Sequence, residues 1–354
     1  MKAFAIATMI LIVNCSQPVQ NEFPDKIELV SVWQFLKVFS IYSDSSYFPK
    51  DPFAFKSSQQ LFDYIADTLK GNYYTGYSDS FGGTIRYGSS GYANLTGKVV
   101  KLDTLTDSCC LLTITTLLNT EGNVLEQFHA AVSKIGSFSN IIIDVRHNGG
   151  GNLTITDSII QCILPMGTKY IHAKERIYNQ YTKKATTVEH DWSTSQYIQQ
   201  QLPAFKNKKF AVLIDRYSAS ASEILALALK DGAGAVLIGE KSYGKAIGQV
   251  HLNRRNRPIL KITYLHLYRI GPSPFDYHRI GVTPDEVASQ LITEAAVLRI
   301  PEVNKPVYYA IKTLQPSATI DSIRFPSAIN NLSAPPVLER GLYKDIDESD
   351  VDLQ

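Results

Sequence analysis

An α/β core behind a small helical N-terminal region is the fold class this sequence predicts, and three observations predict it. Ile141-Ile142-Ile143-Asp144-Val145 and Phe210 to Ile214 are short continuous apolar runs, as expected for strands covered on both faces. Segments of helical periodicity follow them, from about Thr154 to Leu164 and from Ala221 to Leu229. Strand and helix therefore alternate through the middle of the chain.

Taken in order, Ala3 to Val13 is an uncharged stretch of eleven residues after Met1-Lys2, followed by Asn14-Cys15-Ser16-Gln17-Pro18. A membrane-spanning helix needs about 20 apolar residues, so this segment reads as an export signal. Leu11 to Cys15 resembles a lipoprotein signal, with residues 1–14 removed and Cys15 acylated as the mature N-terminus. Asn14 stands where a small residue usually precedes that Cys, so plain export and a retained anchor stay open. Apolar residues recur at helical spacing from Ile27 to Ile41 and again from Leu61 to Leu69. Residues 25–100 are thus expected to form a helical region and linker, with short strands and turns among the Gly, Ser, Tyr and Asn of 71–100. Leu111 to Leu118 predicts a strand, Val124 to Ile135 a helix, and Ala235 to Ile238 a third buried strand. The core is expected over 101–300. A C-terminal extension over 301–354 ends in the acidic stretch from Asp345 to Asp352.

Composition excludes several classes of function. The 354 residues are 44% hydrophobic, and 35 basic side chains face 33 acidic ones, so no strong field favours nucleic acid as a partner. The seven His and four Cys show no metal-ligand spacing. Cys109 and Cys110 are too close together to bond one another readily. Either could pair with Cys162 in an oxidising compartment, or all three could be buried as small apolar residues.

Three segments carry candidate chemistry. In Ser218-Ala219-Ser220-Ala221-Ser222 a buried strand turns into a helix through small residues. A Ser there sits where free N–H groups stabilise developing negative charge, although a plain N-cap explains the serines as well. Gly239-Glu240-Lys241-Ser242-Tyr243-Gly244-Lys245-Ala246 fits the outline of a phosphate-binding loop. Ala246, however, replaces the magnesium-binding Ser or Thr, and Ile247 to Leu252 alternates like a strand where a helix should open. Lys245 has another use. A Lys desolvated among glycines and apolar residues can serve as a general base. In Asp144-Val145-Arg146-His147-Asn148-Gly149-Gly150-Gly151, glycines after a buried strand let backbone N–H groups approach a substrate carbonyl, or simply make a turn.

These segments, with Gly281-Val282-Thr283-Pro284-Asp285, occur in the order found in the carboxyl-terminal processing, or tail-specific, peptidases, which the chain resembles over roughly residues 108–290. The 25-residue step from Ser220 to Lys245 also matches. The resemblance implies a crotonase/ClpP-like peptidase core of repeated ββα units. It implies a serine endopeptidase with Ser220 as nucleophile, Lys245 as general base, and an oxyanion hole formed by the N–H groups of Ala221 and of a glycine in the triple run, Gly150. No metal or cofactor is implied. A third catalytic position falls to Gln249, four residues beyond Lys245 on the same strand face, then to Glu223, one helical turn beyond Ser220, or to Asp231. Residues 71–107 are too short for the PDZ module that many members carry. The implied partners are proteins or peptides of the cell envelope, with the membrane reached only through the lipid on Cys15. Two other readings compete: a catalytically silent lipoprotein that binds a peptide or apolar ligand in the same cleft, and a crotonase-like lyase or hydratase, which leaves the Ser-Lys spacing unexplained.

Overall fold

The computed structural model describes residues 24–68, 76–78, 98–118, 123–179, 182, 184–195, 200–252, 259–271, 274–287, 300 and 304–326. The signal, Cys15, most of the expected linker and the acidic tail lie outside the described residues.

One sheet is mostly parallel. Its strands are β2 (Val100–Thr106), β3 (Cys109–Ile114), β4 (Asn140–Asp144), β7 (Lys209–Ile214), β8 (Val236–Gly239) and β11 (Glu286–Val287), in the order β11-β8-β7-β4-β3-β2. Only β2 runs antiparallel to its neighbour. Alternation of side chains along each strand divides the apolar residues between two faces. Ile141, Ile143, Val212, Ile214 and Leu237 face α3 (Val124–Val132), α4 (Leu153–Ile163) and α5 (Ala221–Ala233). Ile142, Ala211, Leu213 and Ile238 face α6 (Lys305–Leu314), which contributes Val307, Tyr308, Ile311 and Leu314. Burial on both sides is why β4 and β7 read as unbroken apolar runs. Each such aliphatic side chain contributes roughly 1.5–3 kcal/mol on full burial. The segment expected as an extension beyond residue 300 thus supplies the helix that covers the sheet's second face.

The second sheet is antiparallel: β1 (Gly76–Ser78), β5 (Lys169–Asn179), β6 (Lys184–Ser193), β9 (Ile247–Leu252) and β10 (Ile259–Tyr268). Here β10 is the hub, pairing with β9 on one edge and with β1 and β5 on the other. Helices α1 (Pro24–Phe39) and α2 (Ser58–Thr68) bury Leu29, Val32, Leu36, Leu61, Phe62 and Ile65 together, against Ile262 of β10. Among the described residues no helix is long and apolar enough to cross a membrane.

Local chemistry sets the helix ends. Asn123 accepts from the Glu126 N–H at the start of α3, and Asn152 from the Thr154 and Ile155 N–H groups at the start of α4. Gly234, at φ 65°, closes α5 in the left-handed conformation. The strand expected over 111–118 stops at Ile114, and Leu117 instead bridges Gly151 of the glycine loop. Cys109, Cys110 and Cys162 are free and buried, as the reading of them as small apolar residues expects, and neither possible cystine with Cys162 forms; burial pushes their thiols up to about 12, 12 and 11.

Because β4, β7 and β8 are parallel, their carboxyl ends share one edge of the sheet, where ligands of open α/β sheets bind. Asp144, Ile214 and Gly239 end these strands, so the glycine loop, the serine turn and the Lys245 loop all emerge there.

Candidate active site

The serine turn is built from its anchors. Asp215, just after β7, accepts with Oδ1 from the N–H groups of Tyr217 (3.0 Å), Ser218 (3.0 Å) and His147 (2.9 Å), joining the serine turn to the glycine loop. Ser218 is consumed structurally: its hydroxyl donates to the Val145 carbonyl (2.8 Å) and accepts from the Asp215 N–H (3.0 Å). Ser222 is fully buried on α5. Ser220 alone of the three stands at φ 57°, ψ −119°, a conformation that L-residues hold only where surroundings enforce it. It lies at the cap of α5, and no acceptor among the described residues takes the N–H of Ala221, the first helical residue. Gly150 makes room for it. A Cβ on Gly150 would lie 2.6 Å from the Ala219 carbonyl oxygen and 2.9 Å from both the Ala221 nitrogen and Ser220 Cβ.

Glu223 is the centre of the arrangement. Its fully buried carboxylate accepts through Oε2 from the N–H of Ser220 (2.8 Å) and of Lys245 (2.8 Å). Through Oε1 it accepts from the Gly244 N–H (2.7 Å) and the Ser242 hydroxyl. The backbone nitrogens of Ser220 and Lys245 are therefore no more than two hydrogen-bond lengths apart. Burial pushes this carboxyl above the ordinary glutamate value, opposed by the hydrogen bonds it accepts from Ser242, Lys245, Gly244 and Ser220. Lys245 itself is 5% exposed.

The Lys245 loop is held from its far side by the Gly281 motif. Ser242 donates its backbone N–H to the Val282 carbonyl at 3.0 Å, and its hydroxyl accepts from the Val282 N–H at 2.7 Å. Gly281, at φ 83°, lies so close that a Cβ there would be 2.2 Å from the Ser242 carbonyl oxygen. Asp285 accepts from the Leu237 N–H of β8 at 2.9 Å and pairs with Lys230 of α5. The motif is thus a clamp on the loop.

Two expectations are corrected. Gly150 was expected to offer its N–H to the oxyanion, but that N–H is donated to Asn148 Oδ1 at 2.9 Å. Asp231 takes Arg269 as partner through two hydrogen bonds, at 2.6 and 2.9 Å, and serves an ion pair between α5 and β10's end. Gln249 is buried on β9, and Lys245 lies in the loop that leads into that strand. Sequence reasoning missed Asp215, Asn148 and Ser242. Asp215 in Asp-Arg-Tyr-Ser carried a signal, since Asp after a strand accepts backbone N–H groups two and three residues on. Among the described residues no cluster of His, Cys, Asp or Glu could hold a metal ion.

A serine at positive φ and a helix N-terminus thus lies beside a lysine loop and a glycine loop at the carboxyl edge of the parallel sheet. The model of peptidase family S41 matches residues 108–288, half of the chain, and the chain belongs to that family. A carboxyl-terminal-processing protease of Synechocystis sp. is 31% identical over 160 residues, 45% of this chain and 33% of that protein. A carboxy-terminal-processing protease of Bartonella bacilliformis is 40% identical over 87 residues, 25% of this chain and 20% of that protein. Among solved structures, the photosystem II D1 C-terminal processing protease aligns with a TM-score of 0.49 at 15% identity, covering 75% of this chain and 93% of that one. The chain spans about a third of the length of the first of these curated relatives.

Proposed function

We propose that this protein is a serine endopeptidase that cuts exported proteins or peptides, with Ser220 as nucleophile and Lys245 as general base. The observation that carries the reading is the shared Glu223 oxygen, which brings the backbones of Ser220 and Lys245 together at the carboxyl edge of the sheet. Ser220 attacks the scissile carbonyl and passes its proton to the Lys245 amine. That amine returns the proton to the leaving nitrogen, and water then hydrolyses the acyl-enzyme. Glu223, whose carboxylate accepts from the backbone N–H groups of both residues, is a positioning residue. Gln249 remains a candidate to orient the Lys245 side chain.

The oxyanion is assigned to the N–H of Ala221 and, among the glycines, of Gly151. In a planar trans peptide the N–H points opposite to the preceding carbonyl. The Asn148 carbonyl accepts from the Ala219 N–H, so the Gly149 N–H points away from the serine turn. The Gly150 N–H is taken by Asn148. The Gly150 carbonyl accepts from Leu117, which turns the Gly151 N–H away from β3's end, and no acceptor among the described residues takes it.

Action in the cell envelope, with anchoring through an acylated Cys15, is part of the same proposal. The test is hydrolysis of an unstructured protein such as casein by the wild type, Ser220→Ala and Lys245→Ala. Cleavage by the wild type alone, with all three folded, supports the reading. Undiminished cleavage by either variant removes that residue from it.

A further inference from the structure

Asn148 is buried completely, yet it lies in a loop between a strand and a run of glycines. A buried amide costs free energy unless its donor and acceptor groups are satisfied, and here they are used on three different segments. Its Nδ2 donates to the Ile114 carbonyl, the last residue of β3, at 2.9 Å. Its Oδ1 accepts from the Gly150 N–H at 2.9 Å. Its backbone carbonyl accepts from the Ala219 N–H at 3.1 Å, in the residue before Ser220. One residue thus ties the sheet, the glycine loop and the serine turn together.

The side-chain bonds fix a direction as well as a position. Gly150 and Gly151 stand at φ 103° and 151°, values open to glycine and compatible with several orientations of the peptide between them. Asn148 fixes the peptide that ends in the Gly150 N–H, and Leu117 fixes the next one through the Gly150 carbonyl; between them they remove that freedom and leave the Gly151 N–H on the side opposite Leu117. An oxyanion donor is effective only if it is aimed before the charge develops.

We infer that Asn148 is a positioning residue of the acyl-transfer site, whose side-chain amide anchors the glycine loop in the conformation that aims the Gly151 N–H at the oxyanion. The inference rests on the proposed roles of Ser220 and the oxyanion donors. It predicts that losing the amide slows acylation while substrate binding persists.

The experiment uses the full chain and two variants, Asn148→Ala and Asn148→Asp, with peptide hydrolysis, thermal melting, and the rate at which a fluorophosphonate labels Ser220. Labelling of the wild type at Ser220 comes first; a folded wild type that is neither labelled nor active overturns the reading of the site, and this inference with it. Given labelling, Asn148→Ala should lower kcat and the labelling rate together by about 10- to 100-fold, with KM within about twofold. A folded Asn148→Ala with the wild-type kcat, or with its loss confined to KM, overturns the inference.

Asn148→Asp decides the matter if Asn148→Ala does not fold. When protonated, the introduced carboxyl both donates to Ile114 and accepts from Gly150, as the amide does; when ionised it can only accept. Its kcat relative to wild type should therefore fall as pH rises. A ratio that is independent of pH overturns the inference.

Discussion

At the scale of single residues, three serines within five positions look alike in sequence and differ completely in environment. Ser218 spends its hydroxyl on Val145 and Asp215, Ser222 is enclosed in α5, and Ser220 occupies a conformation that its neighbours must enforce. Glu223 is the counterpart: a carboxylate with every acceptor direction occupied, serving geometry. This has a consequence for Lys245. If its side chain acts as a base, Lys245→Arg should leave peptide hydrolysis as low as in Lys245→Ala, because a guanidinium keeps its proton near neutral pH. Steady-state hydrolysis of casein by both variants checks this, and activity in Lys245→Arg above one-tenth of wild type would show that only a positive charge is needed (the one-tenth threshold is about 1.4 kcal/mol in the barrier).

At the scale of elements, β5 carries Ile171 and Ala173 into the core, and two residues on it places Glu175 half-buried. Glu175 Oε2 is buried without a hydrogen-bond partner among the described residues. His190 Nε2 lies 3.8 Å away but accepts the Trp192 indole N–H at 3.1 Å. Burial pushes the Glu175 carboxyl above its ordinary value. The folded chain therefore holds a proton at a pH where the unfolded chain has already released it. That contribution is complete at low pH and is lost as pH rises through the folded-state value. Glu175→Gln removes the titration, so its stability relative to wild type should increase from pH 4 to pH 8, reaching about 1 kcal/mol in its favour. Urea unfolding of both proteins at the two pH values measures it. A difference that does not change with pH would mean that the carboxylate is adequately solvated in the folded state.

At the scale of the whole molecule, parallel strand order brings distant segments to one edge, and the second sheet begins where the Lys245 loop ends. The Lys245 loop runs from β8 of one sheet directly into β9 of the other. Helices cover both faces of the parallel sheet, with α6 returning from beyond residue 300 to do so. The proposed lipid anchor is also a property at this scale. Cys15→Ser, expressed with the rest of the chain unchanged, should move the protein from the detergent phase to the aqueous phase in a detergent partition assay, since the acyl chains supply the membrane affinity. An unaltered partition would exclude acylation at Cys15 as the anchor.

What was legible in the sequence follows from how burial is written there. Strands β4, β7 and β8 and helices α3, α4 and α5 could be read because burial on two faces, or on one helical stripe, leaves apolar runs of distinct period. The order of the motifs pointed to the family for the same reason: each is local and contiguous. Strands β5, β6 and β10 escaped because Lys, His, Glu and Arg interrupt their alternation, and α6 because its partners lie on strands roughly 70 to 200 residues earlier. Tertiary structure alone decided which serine is strained, that Glu223 joins Ser220 to Lys245, that Asp231 belongs to Arg269, and that Asn148 occupies the Gly150 N–H. Composition states which groups a segment carries. The direction of a hydrogen bond depends on dihedral angles and on partners brought from elsewhere in the chain, and those exist only once the chain has folded.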